Sequence, residues 1–159
     1  MLEFGDMSQT ENRLQDLGYS LPATPAAAGN YLPYRISGQQ LFLSGVLPVL
    51  DGQLSHIGKV GQDLSEEEAY AAAKICVLSA LTNIKAALGS LDRVNQVLLV
   101  NGFVNGVEGF SNSQQVINGA SDFLVELFGD AGRHARAAVS VSGLPKNVPV
   151  ELQITLEFK

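Results

Sequence analysis

The chain has 159 residues, 46% of them hydrophobic and 16% charged, with a formal net charge of −6 at pH 7. That length suits one domain with a proper core, and so little charge favours an oligomer in which a partner covers part of the apolar surface. An acidic chain without a cluster of Lys or Arg disfavours nucleic-acid binding through a broad basic face. The single cysteine, Cys76, forms no internal disulfide, which fits a reducing, cytoplasmic setting. The N-terminus lacks the basic n-region and long apolar stretch of a signal peptide, and no apolar run reads as long enough to span a bilayer, so no membrane partner is expected.

In chain order, the first seven residues read as loose. Ser8-Gln9-Thr10-Glu11 has the form of a capping box, starting a short helix with Leu14 and Leu17 facing inward and Gly18 at its end. Residues 21–29 form a Pro/Ala-rich connector, so residues 1–25 are an N-terminal extension and 26–159 one domain without internal repeats. Tyr31, Pro33 and the run to Ile36 suggest an edge-tolerant strand. Ser37-Gly38 makes a hairpin turn into a buried strand over 40–46. Asp51-Gly52 marks a further tight turn, followed by a weaker strand or loop to Val60.

Ser65-Glu66-Glu67-Glu68 is a second capping box, with three carboxylates at the positive end of the helix dipole. The helix it opens runs to about Leu88 and stops at Gly89; its apolar positions recur at helical spacing. Residues 93–104 are a β-branched strand, in and after which Asn101-Gly102 and Asn105-Gly106 look like turns or irregularities. Residues 106–112 are a loop, and a second helix spans Ser113 to Phe128, closed by Gly129. The stretch 135–151 is strand, turn and strand: Arg136, Ala138 and Ser140 alternate with Ala137, Val139 and Val141, and Leu144-Pro145-Lys146-Asn147 breaks the run. The order β-β-α-β-α-β-β implies an α+β sandwich, one mixed sheet with both long helices on a single face.

Two charges carry the chemical interest. Arg136 lies in an otherwise small and apolar strand; its guanidinium matches a carboxylate in bidentate fashion, or it makes a structural salt bridge. Glu151 opens the last strand, where it could activate a water or relay a proton, or simply be solvated. His56 and His134 are far apart and join with the one cysteine in no metal spacing. Cys76 sits mid-helix on an apolar face and reads as buried and inert. Ser8, Ser65 and Ser113 read as helix starts rather than nucleophiles. No phosphate loop, dinucleotide fingerprint or Gly-x-Ser-x-Gly motif is present.

The Ala-Arg-x-x-Val strand at 135–139, the Leu144-Pro145 turn and Glu151 resemble the C-terminal signature of the YjgF/YER057c/UK114 (Rid) family. Upstream, Gly29-Asn30-Tyr31 is similar to its Gly-Pro-Tyr, Leu43-Ser44-Gly45 with Pro48 to its Ser-Gly-x-x-Pro, and Asn83 to its helical Asn-hydrophobic-Lys. The resemblance covers residues 26–159. It implies a chorismate-mutase-like fold, a homotrimer with ligand sites in clefts between subunits, and hydrolysis of a 2-imino acid, or its enamine tautomer, to a 2-keto acid and ammonia. In that reading Arg136 holds the carboxylate, Glu151 places and activates water, and Tyr31, Ser44, Gly45, Asn118 and Ala138 line the pocket. No cofactor is implied, because an imine is already electrophilic. Two departures bear on substrate identity: Ala138 stands where archetypes often carry cysteine, and Asn30 where they carry proline. The rival expectations are a non-catalytic trimer that binds a small carboxylate, and an endoribonuclease, a label often attached to the family and opposed here by the negative charge.

Overall fold

The computed structural model describes residues 8–24 and 29–159, so the expectations for residues 1–7 and for 25–28 of the connector lie outside it. Helices α1 (Gln9–Asp16), α2 (Glu66–Leu88) and α3 (Ser113–Phe128) join strands β1 (Tyr34–Ser37), β2 (Gln40–Leu43), β3 (Val49–Leu50), β4 (Gln53–Leu54), β5 (Val94–Asn105), β6 (Ala135–Val141) and β7 (Val150–Phe158). The main sheet runs β1-β2-β7-β5-β6; β3 and β4 form a separate hairpin. Among the named strands of the described residues, only β5 and β6 pair in parallel, and α3 provides the crossover between them. The expected α+β class and mixed sheet are therefore present, with β1 and β6 as the edges.

Alternation along each strand gives the sheet two unlike faces. Val100, Gly102 and Val104 of β5, with Val150, Leu152, Ile154 and Leu156 of β7, point to the helix layer and are buried. On the other face lie Phe42, Leu99 and Val139, which are 41%, 37% and 47% exposed. Gly102 lies under Ile117 of α3, where any Cβ would collide with the isoleucine. Contrary to expectation, Asn101-Gly102 is thus an uninterrupted part of β5, and Asn105 is its last residue.

The helix layer is equally tight. At Gly119 an added Cβ would strike the carbonyl of Tyr70, so α3 meets the backbone of α2 without a side chain between them. Helix α2 carries the complete capping box: Ser65 Oγ accepts from Glu68 N at 3.1 Å, and Glu68 accepts from Ser65 N at 2.8 Å. Gly89 ends it with φ at +83°. This helix has the length and hydropathy of a bilayer-crossing segment, unlike the reading from sequence, but 67% of its most apolar stretch is buried within the fold. The sheet and α3 pack against it, and the N-terminal segment reaches its Thr82 and Lys85.

The first capping box is only half formed. Ser8 Oγ accepts from Glu11 N at 3.1 Å, but the Glu11 side chain turns inward to Lys85 Nζ at 3.2 Å and Leu91 N at 3.4 Å. Asp92 takes over the helix end, accepting from Gln9 N, Thr10 N and Thr10 Oγ. Beyond α1, Tyr19 packs edge-on against Phe123 with ring centroids 5.1 Å apart, and Pro22 accepts from Thr82 Oγ. The described part of the extension therefore lies across the helices.

Candidate functional site

The first half of the site is built on α3 and edge strand β6. Arg136 pairs with Val100 and Ala138 with Gly102, so both face the helix layer. There α3 presents a polar stripe: Gln114, Asn118 and Ser121 recur at helical spacing opposite Arg136. Arg136 Nη1 donates to Asn118 Oδ1 at 2.8 Å and Ser121 Oγ at 3.1 Å, and Nη2 donates to the Gln114 carbonyl at 3.3 Å. No acidic side chain bridges to Arg136 among the described residues. A guanidinium has five N–H donors, so Nε–H and one Nη2–H remain for an external acceptor. The Arg136 guanidinium is held by neutral acceptors that leave its charge uncompensated.

The second half gathers Tyr31, Ser44, Gly45 and Glu151. Strand β2 ends at Leu43, earlier than expected, and the chain rejoins β7 through a bridge between Val46 and Leu152. Gly45 is thereby laid directly on the Glu151 carboxylate, and a Cβ there would overlap Glu151 Oε1. Ser44 Oγ donates to the Leu32 carbonyl at 2.6 Å, fixing the segment that carries Tyr31. Tyr31, Leu32, Arg35 and Ser44 share an open cleft of about 480 Å³. Burial raises the pKa of Glu151 above its ordinary 4.5. A carboxylate of raised basicity can take a proton from water.

The two halves do not meet in one chain. Glu151 pairs with Phe103, and so lies on the open face, whereas Arg136 lies on the helix face. Arg136 and Glu151 thus stand on opposite faces of the sheet, on either side of the turn at residues 145–147, where Lys146 and Asn147 have positive φ. Asn118 joins Arg136 directly, and Ala138 lies next to it on the same face.

Two residues of the arginine half were not foreseen. Ser121 bonds Arg136 and also lies 2.9 Å from His134 Nε2, and His134 Nδ1 is 2.7 Å from the Gly132 carbonyl. The available signal was the polar stripe on α3 facing the one charged position of β6. Cys76 is buried as expected, its thiol pKa pushed well up by burial.

Comparison with known proteins agrees with this architecture. Protein TCP17 of Trypanosoma cruzi is 45% identical over 146 residues, 91% of each chain. Among solved structures, Atu1372 of Agrobacterium tumefaciens is 42% identical with a TM-score of 0.88, covering 94% of this chain and 92% of that one. A protein of Shewanella oneidensis MR-1, described as a putative endoribonuclease, is 37% identical with a TM-score of 0.91 over 95% of this chain and all of that one. The family model described as YjgF/chorismate mutase-like, putative endoribonuclease, matches residues 11–156. With its fold, its matched span and these relatives, the chain belongs to the YjgF/chorismate mutase-like family.

Proposed function

We propose that the protein hydrolyses reactive 2-imino acids to 2-keto acids and ammonia, at a site completed by a second copy of the chain. The observation that carries this reading is Arg136: a guanidinium with no acidic partner among the described residues, fastened on one side and open to a carboxylate on the other. Glu151 supplies the complementary group from the opposite face of the sheet. Family members are generally oligomeric, and the exposed Phe42, Leu99 and Val139 make the open face suited to burial against another copy. We assign Arg136, Asn118 and Ala138 to one copy at each site, with Tyr31, Ser44, Gly45 and Glu151 from its neighbour in a homotrimer.

The chemistry follows from the two groups. Arg136 binds the substrate carboxylate and orients the adjacent C=N carbon. Glu151, as carboxylate, takes a proton from water as the water oxygen bonds to that carbon, and the imine nitrogen takes a proton from solvent, which the final loss of the hydroxyl proton restores. The resulting carbinolamine loses its C–N bond as Glu151 returns its proton to nitrogen, and ammonia departs. Loss of the hydroxyl proton leaves the 2-keto acid. Burial suits Glu151 to this exchange by bringing its pKa nearer to neutrality. Ala138 offers no thiol and makes a smaller pocket wall beside the anchor.

The test is ammonia release from freshly generated 2-imino acids. Wild type should exceed the spontaneous rate and Arg136→Ala should not. No acceleration by wild type, together with a rise in melting temperature on adding 2-oxobutanoate, would support a carboxylate-binding protein without turnover. RNA cleavage is the disfavoured activity: His134 is occupied by Ser121 and Gly132, His56 lies 2.8 Å from Ser55 Oγ, and the net charge is −6.

A further inference from the structure

The hydrogens around His134 can be assigned from their partners. The Gly132 carbonyl only accepts, so His134 Nδ1, 2.7 Å away, carries a hydrogen and donates it. Burial foremost, with a smaller effect of the Arg136 charge, holds the imidazole pKa below its ordinary 6.5 against the raising effect of the Gly132 bond. The ring is then neutral at pH 7 and Nε2 is a bare acceptor. Ser121 Oγ, 2.9 Å from Nε2, gives it its only hydrogen, which leaves the Ser121 lone pairs to accept from Arg136 Nη1 at 3.1 Å.

The chain of bonds therefore has one direction: Arg136 to Ser121, Ser121 to His134, His134 to Gly132. Such a chain strengthens each of its members through mutual polarisation. The second Nη1 hydrogen is taken by Asn118 and one Nη2 hydrogen by Gln114. With Nη1 held at both hydrogens and Nη2 at one, the guanidinium plane is fixed, and the free Nε–H and Nη2–H belong to neighbouring nitrogens.

The geometry points to Ser121 and His134 as a positioning pair that orients Arg136 for a carboxylate ligand. This inference deepens the proposed function and rests on it. Neither residue touches the substrate; both act through the guanidinium, and the neutral Nδ1–H tautomer is what makes the pair an acceptor rather than a competing donor.

Two measurements test it. In the first, His134→Leu and Ser121→Ala are expected to raise the KM for the 2-imino acid and the Kd for 2-oxobutanoate about three- to tenfold, with kcat nearly unchanged. His134→Gln, whose amide oxygen reaches the position of Nε2, is expected to recover most of the loss. Equal effects of Leu and Gln, or parallel losses in kcat and melting temperature, would reduce the pair to packing and overturn the inference. In the second, long-range 1H–15N spectra of the ligand-free wild type should show His134 as the neutral Nδ1–H tautomer. An Nε2–H tautomer would overturn the clamp whatever the ligand result. Should the tautomer be found while wild type neither binds 2-oxobutanoate nor releases ammonia, the clamp geometry stands but the carboxylate role falls with the proposed function.

Discussion

The arginine half and the glutamate half of the candidate site are built in opposite ways. Arg136 projects from a strand onto a helix, and two turns of that helix hold it by three hydrogen bonds. Glu151 projects from a strand onto an uncovered sheet face, with Gly45 closing over its carboxylate and no protein hydrogen bond to hold it among the described residues. The first half is preorganised within the chain; the second is desolvated but incomplete. Under the proposed function, the difference teaches where a partner would act: the arginine half is already ordered in a single copy, whereas the glutamate half takes its remaining contacts from another surface.

That contrast can be broken from either side. The largest effect is expected from Glu151→Gln, which should lower kcat about 10²- to 10³-fold with the Kd for 2-oxobutanoate within about twofold of wild type. Calorimetry beside ammonia release separates the two quantities. Arg136→Ala should also abolish ammonia release, but together with binding, weakening 2-oxobutanoate about a hundredfold through loss of a charged, bidentate contact. Smaller again is Gly45→Ala: its methyl group displaces the Glu151 carboxylate, so kcat should fall about tenfold while carboxylate affinity is kept. Equal damage to binding in all three variants would erase the distinction between the halves.

The smallest effect lies in the pH dependence of stability. Burial raises the folded-state pKa of Glu151, so the folded chain holds this proton more tightly than the unfolded chain does. Ionisation therefore costs stability above the folded pKa, and the cost disappears as pH falls below the unfolded value. Glu151→Gln should melt slightly above wild type at pH 7, with the gap closing as pH is lowered through that window. A variant that melts below wild type at pH 7 would mean that the carboxylate has a stabilising partner.

Local signals explain what was legible beforehand. Ser65 and Glu68 announce α2 because both bonds of a capping box lie within four residues, and Gly89 ends it by its left-handed φ. The span Ser113 to Phe128 was readable for the same reason: apolar spacing between a polar start and Gly129. Tertiary choices were not readable. Glu11 abandons its own helix end because Lys85 and Leu91 offer partners 74 and 80 residues away. Asn101-Gly102 looks like a turn in sequence, yet the glycine is needed under Ile117, and strand pairing on both sides decides the matter. Arg136 was identifiable as an isolated charge, but its partners come from a helix 15 to 22 residues earlier. The separation of Arg136 from Glu151 depends on which face each strand presents, and spacing across an irregular turn does not determine that.

The most direct test of the shared site is complementation between two inactive variants. Arg136→Ala and Glu151→Gln chains, carrying different tags, would be co-expressed, purified through both tags, and assayed for ammonia release from 2-imino acids. A site composed of one residue from each copy predicts that mixed oligomers regain a substantial fraction of wild-type activity, since some of their clefts contain both Arg136 and Glu151. Mixed oligomers as inactive as either parent, alongside active wild type prepared in the same way, would contradict the account and place the reaction within a single chain.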